Sequence, residues 1–174
     1  MIHFTATGSA LAVSAAAHDM FWLKASSVNS IAIRRIHLGQ YSDPGDAEAE
    51  MLSVQAIRGY TTSPSGGAAC TPRAADTRRP AFGAEGTGEE CRVNDTTVAT
   101  TGTPHILAAE AFNVMGGWYW RVPDGDHLLP RKLSRAIWIA PGETFALRIT
   151  APADALTMNV SVDFDEMTTT DVDN

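Results

Sequence analysis

The sequence predicts an all-β protein, a two-layer antiparallel β-sandwich of about eight or nine strands joined by turns. Three observations predict it. Apolar residues come in short runs of strand length, and no long segment carries a helical period. Within most runs, apolar and polar residues alternate, as a strand with one buried face requires. Turn signals separate the runs, among them Pro44-Gly45, Gly116-Gly117, Asp124-Gly125 and Pro141-Gly142. With about eight strands the commonest form is the jelly roll, and a closed barrel is the alternative.

The elements follow in order. Ile2-His3-Phe4-Thr5-Ala6 alternates, and Ala10-Leu11-Ala12-Val13 is a second short run. Asp19-Met20-Phe21-Trp22-Leu23-Lys24 is mostly apolar and reads as buried on both faces. Residues 30–40 form a longer strand in which Ile31 and Ile33 lie one residue out of step with Ile36 and Leu38. Such an odd step is the mark of a β-bulge, here at Arg34-Arg35. Residues 41–50 are an acidic connection, and 50–60 read as a strand with Leu52, Val54 and Ala56 inward.

From 61 to 95 Gly, Pro, Thr, Ala and Ser dominate, which predicts a long surface excursion that packs on a neighbouring subunit. Strands resume at 96–100, 106–114, 118–122, 136–139, 144–149 and 156–164. The expected core includes Phe21, Leu23, Ile33, Val54, Phe112, Trp120, Trp138, Leu147, Val160 and Val162. The end of the chain, from Asp165, is acidic and Thr-rich and reads as frayed. The organisation is thus one sandwich domain over 1–166, with the excursion at 61–95 and a flexible acidic tail at 167–174.

Composition narrows the function. A chain of 174 residues, 44% hydrophobic and 19% charged, suits one domain with a real core. The net charge of −7 and the lack of a basic patch argue against a nucleic-acid partner. Arg34-Arg35, Arg78-Arg79 and Arg131-Lys132 read as solvated or salt-bridged surface pairs. No apolar run approaches the roughly 18 residues that span a membrane, and Met1-Ile2-His3-Phe4 lacks a basic leader. Cys70 and Cys91 have no metal-ligand spacing. They either form one disulfide, worth about 3 kcal/mol through loop closure, or remain free thiols in reducing surroundings.

No catalytic constellation emerges. There is no GxSxG elbow around Ser9 or Ser65, and 83–88 has glycines without a phosphate-loop lysine. His3, His18, His37, His105 and His127 stand alone, without the HxH of a cupin-type metal site. Asp43, Asp46, Glu48 and Glu50, and likewise Asp124 and Asp126, offer oxygen ligands but no EF-hand spacing, and read as solvated turns. In Trp118-Tyr119-Trp120 the two tryptophans share a face, which reads as core, with the tyrosine opposite. Glu110 is the one carboxylate inside an apolar strand and reads as an edge or interface residue. The expectation is a protein with no catalytic, metal or cofactor site.

Several segments, in order, resemble a group of small jelly-roll proteins of tailed bacteriophages that decorate or cement the virion. They are Phe21-Trp22-Leu23-Lys24-Ala25, then Ile33-Arg34-Arg35-Ile36-His37-Leu38-Gly39-Gln40 running into Gly45-Asp46-Ala47-Glu48-Ala49-Glu50-Met51-Leu52. Ile57-Arg58-Gly59-Tyr60-Thr61-Thr62 leads into the excursion, and Asn94-Asp95-Thr96-Thr97, Ala111-Phe112-Asn113, Pro141-Gly142-Glu143 and Ala151-Pro152-Ala153-Asp154 follow. The resemblance implies a structural protein of the virion, made in a host cytoplasm. It would bind a major capsid protein or another virion protein through protein–protein contacts, without catalysis, cofactor, nucleic acid or membrane. It also implies a homo-oligomer, most simply a trimer. A receptor- or glycan-binding module of a tail or head fibre is the alternative.

Overall fold

The computed structural model describes residues 1–40, 51–113, 115–123, 135–150 and 156–167. Among them there is no helix, and the chain forms two antiparallel sheets packed face to face, a β-sandwich. The first sheet contains β1 (Ile2–Val13), β3 (Ser30–Gln40), β6 (Arg73–Ala74), β9 (Trp118–Arg121), β10 (Ile137–Ile139) and β12 (Leu156–Met167). Its order is β10-β3-β12-β1-β6, with β9 also pairing to β3. The second contains β2 (Ala17–Lys24), β4 (Met51–Thr62), β5 (Ala68–Ala69), β7 (Glu90–Asp95), β8 (Thr100–Asn113) and β11 (Thr144–Thr150), in the order β5-β7-β2-β11-β4-β8.

Nine of these strands fall on the apolar runs read from the sequence. The runs at 2–6 and 10–13 are one strand, β1, whose register to β12 shifts between Gly8 and Leu11. A Cβ at Gly8 would lie 2.9 Å from Leu11 Cδ1, so a larger residue there would have to displace the end of the Leu11 side chain. Three further strands, β5, β6 and β7, come from the expected excursion. Within 96–100, Thr97 makes only an isolated bridge to Ser65, and regular pairing begins at Thr100.

The core sits between the sheets and is built by alternation. β12 turns Met158, Val160, Val162 and Phe164 inward; β3 contributes Ile31, Ile33, Ile36 and Leu38. The facing sheet supplies Phe21 and Leu23 from β2, Leu52, Val54 and Ala56 from β4, and Phe145, Leu147 and Ile149 from β11. Each such side chain contributes about 1.5–3 kcal/mol on burial. Eight of the ten expected core residues are buried. Trp120 and Trp138 are only partly buried: Trp120 packs against the core from β9, whereas Trp138 pairs with Ala32 and lies on the other face of the sheet, packed with Ala32, Ala136 and Met167. At the other end of the chain, Asp165, Glu166 and Met167 are buried strand residues instead of a frayed end, since β12 stays paired with β1 or β3 throughout.

The expected bulge is present. Arg35 pairs with Asp163 and Ile33 with Phe164, so Arg34 is the extra residue. The extra residue keeps both Ile33 and Ile36 in the core.

The outer face of the second sheet carries a buried ion pair. Asp19 is fully buried, and Arg148 Nε and Nη2 donate to its two carboxylate oxygens at 2.7 and 3.2 Å. The same pair clamps the backbone of Ala99, whose N–H donates to Asp19 at 2.6 Å and whose carbonyl accepts from Arg148 at 2.9 Å. Tyr60 completes the site: its hydroxyl accepts from Arg148, and its ring lies 5.0 Å from the guanidinium carbon. Burial alone would lower the pKa of Arg148, but the hydrogen bonds and charge of Asp19 outweigh it and raise the pKa. Beneath this clamp Trp22 is fully buried, packed with Ala99 and Ala146 and donating its indole N–H to Glu90 at 3.0 Å.

Replacing Arg148 by Ala leaves the Asp19 carboxylate buried and uncompensated. The expected loss is about 3–5 kcal/mol, read as a lower midpoint in urea unfolding.

Candidate binding surfaces

Three places on the sandwich combine exposure with organised chemistry. The first is the outer face of the sheet built on β12. Register across β9, β3 and β12 places Arg121 beside Arg35 and Arg35 beside Asp163, and Thr5 lies beyond on β1. One step along, Tyr119 pairs with His37. Because Arg34 is the bulged residue, it reaches this same face and donates to Asp165 at 2.7 Å, while Arg35 bonds Asp163. His3 Nδ1 lies 3.0 Å from the other Asp165 oxygen, and Thr5 donates to Asp163 at 2.8 Å. His3, Arg34, Arg35, Arg121, Asp163 and Asp165 line a groove of about 520 Å³ together with Tyr119, Val122 and Pro123. Tyr119 is 52% exposed and meets the His37 ring edge-on at 6.1 Å between centroids.

The second is β8. It pairs only with β4 among the described strands and ends its sheet. A bulge at Leu107 and another between Gly102 and His105 twist its first half. Gly102, at φ +86°, faces Gly59 so closely that a Cβ would lie 2.3 Å from the Gly59 carbonyl oxygen. The second half, Ala108 to Asn113, pairs regularly with Met51 to Ala56 and carries no lysine, arginine or proline. Ile106 and Leu107 are 58% and 41% exposed, and Met51 and Met115 are exposed at the other end of the strand, near Asn113. Glu110 stands on this edge strand, and its carboxylate accepts the Trp118 indole N–H at 2.7 Å.

The third is the excursion, which packs back on its own sandwich. Phe82 inserts edge-on against Phe4 and Phe164, at 5.8 and 5.5 Å. Cys70 and Cys91 form a disulfide between adjacent backbones, with Cα atoms 5.3 Å apart. Of the two readings, the structure carries the bonded form. Glu166 holds the loop from below, accepting from Asn29 Nδ2 at 3.2 Å and from the Gly83 N–H at 3.3 Å. Burial raises the Glu166 pKa above the ordinary 4.5; the Asn29 and Gly83 hydrogen bonds oppose the shift, and Glu85 and Glu89 add to it.

The remaining candidates from the sequence are dispersed. His18 is buried and bonded to Asn94 and Ser14, a structural role. His105 is exposed on β8. As expected, Trp118 is buried and Tyr119 lies on the opposite face. Asp43, Asp46, Glu48, Glu50, Asp124, Asp126 and His127 lie outside the described residues. Among the described residues no three His, Cys, Asp or Glu side chains converge as a metal site. Sequence reasoning missed the groove, since His3, Arg121 and Asp163 meet only through strand pairing; the bulge at Arg34-Arg35 was its one local signal. No family model matches the chain, and neither a curated protein nor a solved structure does.

Two outcomes follow for the excursion. The Cys70→Ser, Cys91→Ser double variant should lose about 3 kcal/mol in denaturant titration, the loop-closure contribution for a separation of 21 residues. For Glu166 the folded pKa lies above the unfolded one, so the folded state binds the extra proton more tightly. Its contribution to stability therefore falls as pH rises from the ordinary carboxylate value through the raised one. Glu166→Gln keeps an oxygen for Gly83 and removes the buried charge. Thermal melts should show it stabilised at neutral pH, with that part of the pH dependence gone.

Proposed function

We propose that the chain is a structural subunit of a phage virion, a head decoration or cement protein that binds the capsid surface by protein–protein contacts. The observation that carries this reading is the β8 edge. A regular, low-charge strand edge built from Ala108, Ala109 and Ala111 presents backbone groups that pair with no other described strand, and small side chains that allow another backbone to approach closely. Isolated proteins blunt such edges with lysines or cover them; an assembly subunit uses them. The exposed Ile106, Leu107, Met51 and Met115 extend the surface with apolar contact.

The strand order supports a jelly roll. β1-β12-β3-β9 faces β2-β11-β4-β8, the arrangement two interlocked Greek keys produce. On this reading the chain catalyses nothing and needs no cofactor or metal. It acts as a homo-oligomer, most simply a trimer, so that several modest contacts reinforce one another. A second reading, a receptor- or glycan-binding module, is favoured by the groove at Tyr119.

The test uses purified virions of the phage that encodes the chain. The subunit should be present in particles by mass spectrometry, and EDTA or moderate salt should not release it, because apolar and backbone contacts are not screened as exposed charges are. Its absence from particles overturns the proposal. Release by EDTA or by salt overturns the metal-free, charge-independent mode of attachment. In solution the wild-type chain should sediment as an oligomer. Ala109→Lys with Ala111→Lys should sediment as a monomer with an unchanged circular dichroism spectrum.

A further inference from the structure

We propose that residues 76–89 are a hinged strap over one end of the sandwich, opened and closed by a proton on Glu166. The device is independent of attachment to a particle and of the β8 edge. Alternation along β12 sends Met158, Val160, Val162 and Phe164 into the core, and Glu166 is the next member of that row. It stands opposite Ile2 as Phe164 stands opposite Phe4, and it is only 4% exposed. A carboxylate thus ends an apolar row. The strap supplies the reason, because its Gly83 N–H donates to both Glu166 oxygens, at 3.3 and 3.4 Å. Beside Gly83, Phe82 packs edge-on against Phe4 and Phe164. Further along, the Ser27 N–H donates to the Thr87 carbonyl at 3.0 Å. Most of the other strap residues are exposed. A segment held by so few buried contacts opens locally while the rest of the domain stays folded. Its ends stay in place. The Ala75 N–H donates to the His3 carbonyl just after β6 pairs with β1, and the Cys70–Cys91 bond joins the two approaches. Opening is therefore a hinge movement of a tethered loop.

Charge decides when the strap opens. Closing it covers Glu166 and brings Glu85 and Glu89 towards the same carboxylate. Glu89 folds against Gly83, where a Cβ would meet its Cγ at 2.2 Å, and its Oε2 is buried with no hydrogen-bond partner. Groups of opposite sign also face Glu166: Arg79, and Met1 with its amino group, line a cavity of about 160 Å³ beside it. Asn29 offers a neutral amide, and β3 places Ile31 opposite. Burial is the largest effect and the like charges add to it, so the pKa of Glu166 is raised despite the hydrogen bonds from Asn29 and Gly83. A carboxyl whose pKa is higher in the closed state favours closure fully below its open-state value. That preference is lost as pH rises through the closed-state value. The strap is thus latched in acid and loosened at neutral pH, where opening admits water to Glu166 and uncovers Phe4 and Phe164.

The experiment is amide hydrogen exchange followed by NMR on the full chain with its disulfide intact. Protection factors, corrected for intrinsic exchange, are compared at about pH 4 and about pH 7.5. Gly83 should be less protected than Val160 in the middle of β12, which reports local opening. Its protection should be at least about threefold higher in acid than at neutral pH. Glu166→Gln, which keeps an oxygen for the Gly83 N–H, should raise Gly83 protection at neutral pH and remove the difference between the two conditions. Phe82→Ala should lower Gly83 protection in both conditions while Val160 stays protected. Four results would overturn the proposal: Gly83 as well protected as Val160 in both conditions, wild-type protection of Gly83 that does not rise in acid, a wild-type pH difference that survives in Glu166→Gln, or Gly83 protection unchanged by Phe82→Ala. The first two need no variant, so the proposal stays testable if a substitution prevents folding. The measurement needs no particle, so its failure leaves virion attachment untouched, and loss of the subunit from virions leaves the strap untouched.

Discussion

The one-residue offset at Arg34, in the ladder between β3 and β12, governs both sides of its sheet. A strand without the bulge would alternate strictly, and Ile36 and Leu38 would then face solvent if Ile31 and Ile33 faced the core. With one extra residue, all four apolar side chains are buried. The same step brings Arg34 and Arg35 to the outer face, where strict alternation would allow only one of them. The packing of the core and the charge lattice of the groove are therefore consequences of a single backbone irregularity. Burying the four apolar side chains is worth several kcal/mol, far more than the loss of one ladder hydrogen bond.

The opposite sheet solves a different problem. Its outer face holds Asp19 and Trp22, both fully buried although they point away from the main core. The chain covers them by folding the segment around Ala99 over the sheet and tying its backbone to the Asp19–Arg148 pair. Arg92 and Asp95 repeat the device nearby, with Asp95 also accepting the Gly67 N–H at 2.9 Å. The hydrogen bond and charge of Asp95 raise the pKa of Arg92 against the opposing effect of burial. Buried carboxylates here replace strand pairing, giving loop backbone the partners that a neighbouring strand would otherwise supply.

The fold was legible in the sequence because period-two alternation survives in most of the major strands, and the bulge was legible because it breaks that alternation at one spot. β7 was not, since its Glu90-Cys91-Arg92-Val93-Asn94-Asp95 sits in a Gly/Pro-rich context and offers only Val93 as a large apolar residue. The buried polar residues were also hidden. Asp19 and Arg148 are 129 positions apart, and Glu166 and Gly83 are separated by 83, so no local spacing announces either contact. The groove is the same case: its row of side chains exists only through the registers of four strands. Tyr119 was legible as the outward member of its aromatic run, but its neighbours were not.

The central place of β12 also dictates when the domain forms during synthesis. Ile2 pairs with Glu166, and the same strand pairs on its other side with β3. Until β12 leaves the ribosome, β1 and β3 have no strand between them, and half of the core lacks Val160, Val162 and Phe164. Such long-range closure gives a high contact order and slow folding. The nascent chain must therefore remain soluble with two unfinished edges. Its modest hydrophobicity and acidic balance are suited to that wait, and the first sheet closes only when β12 inserts between β1 and β3.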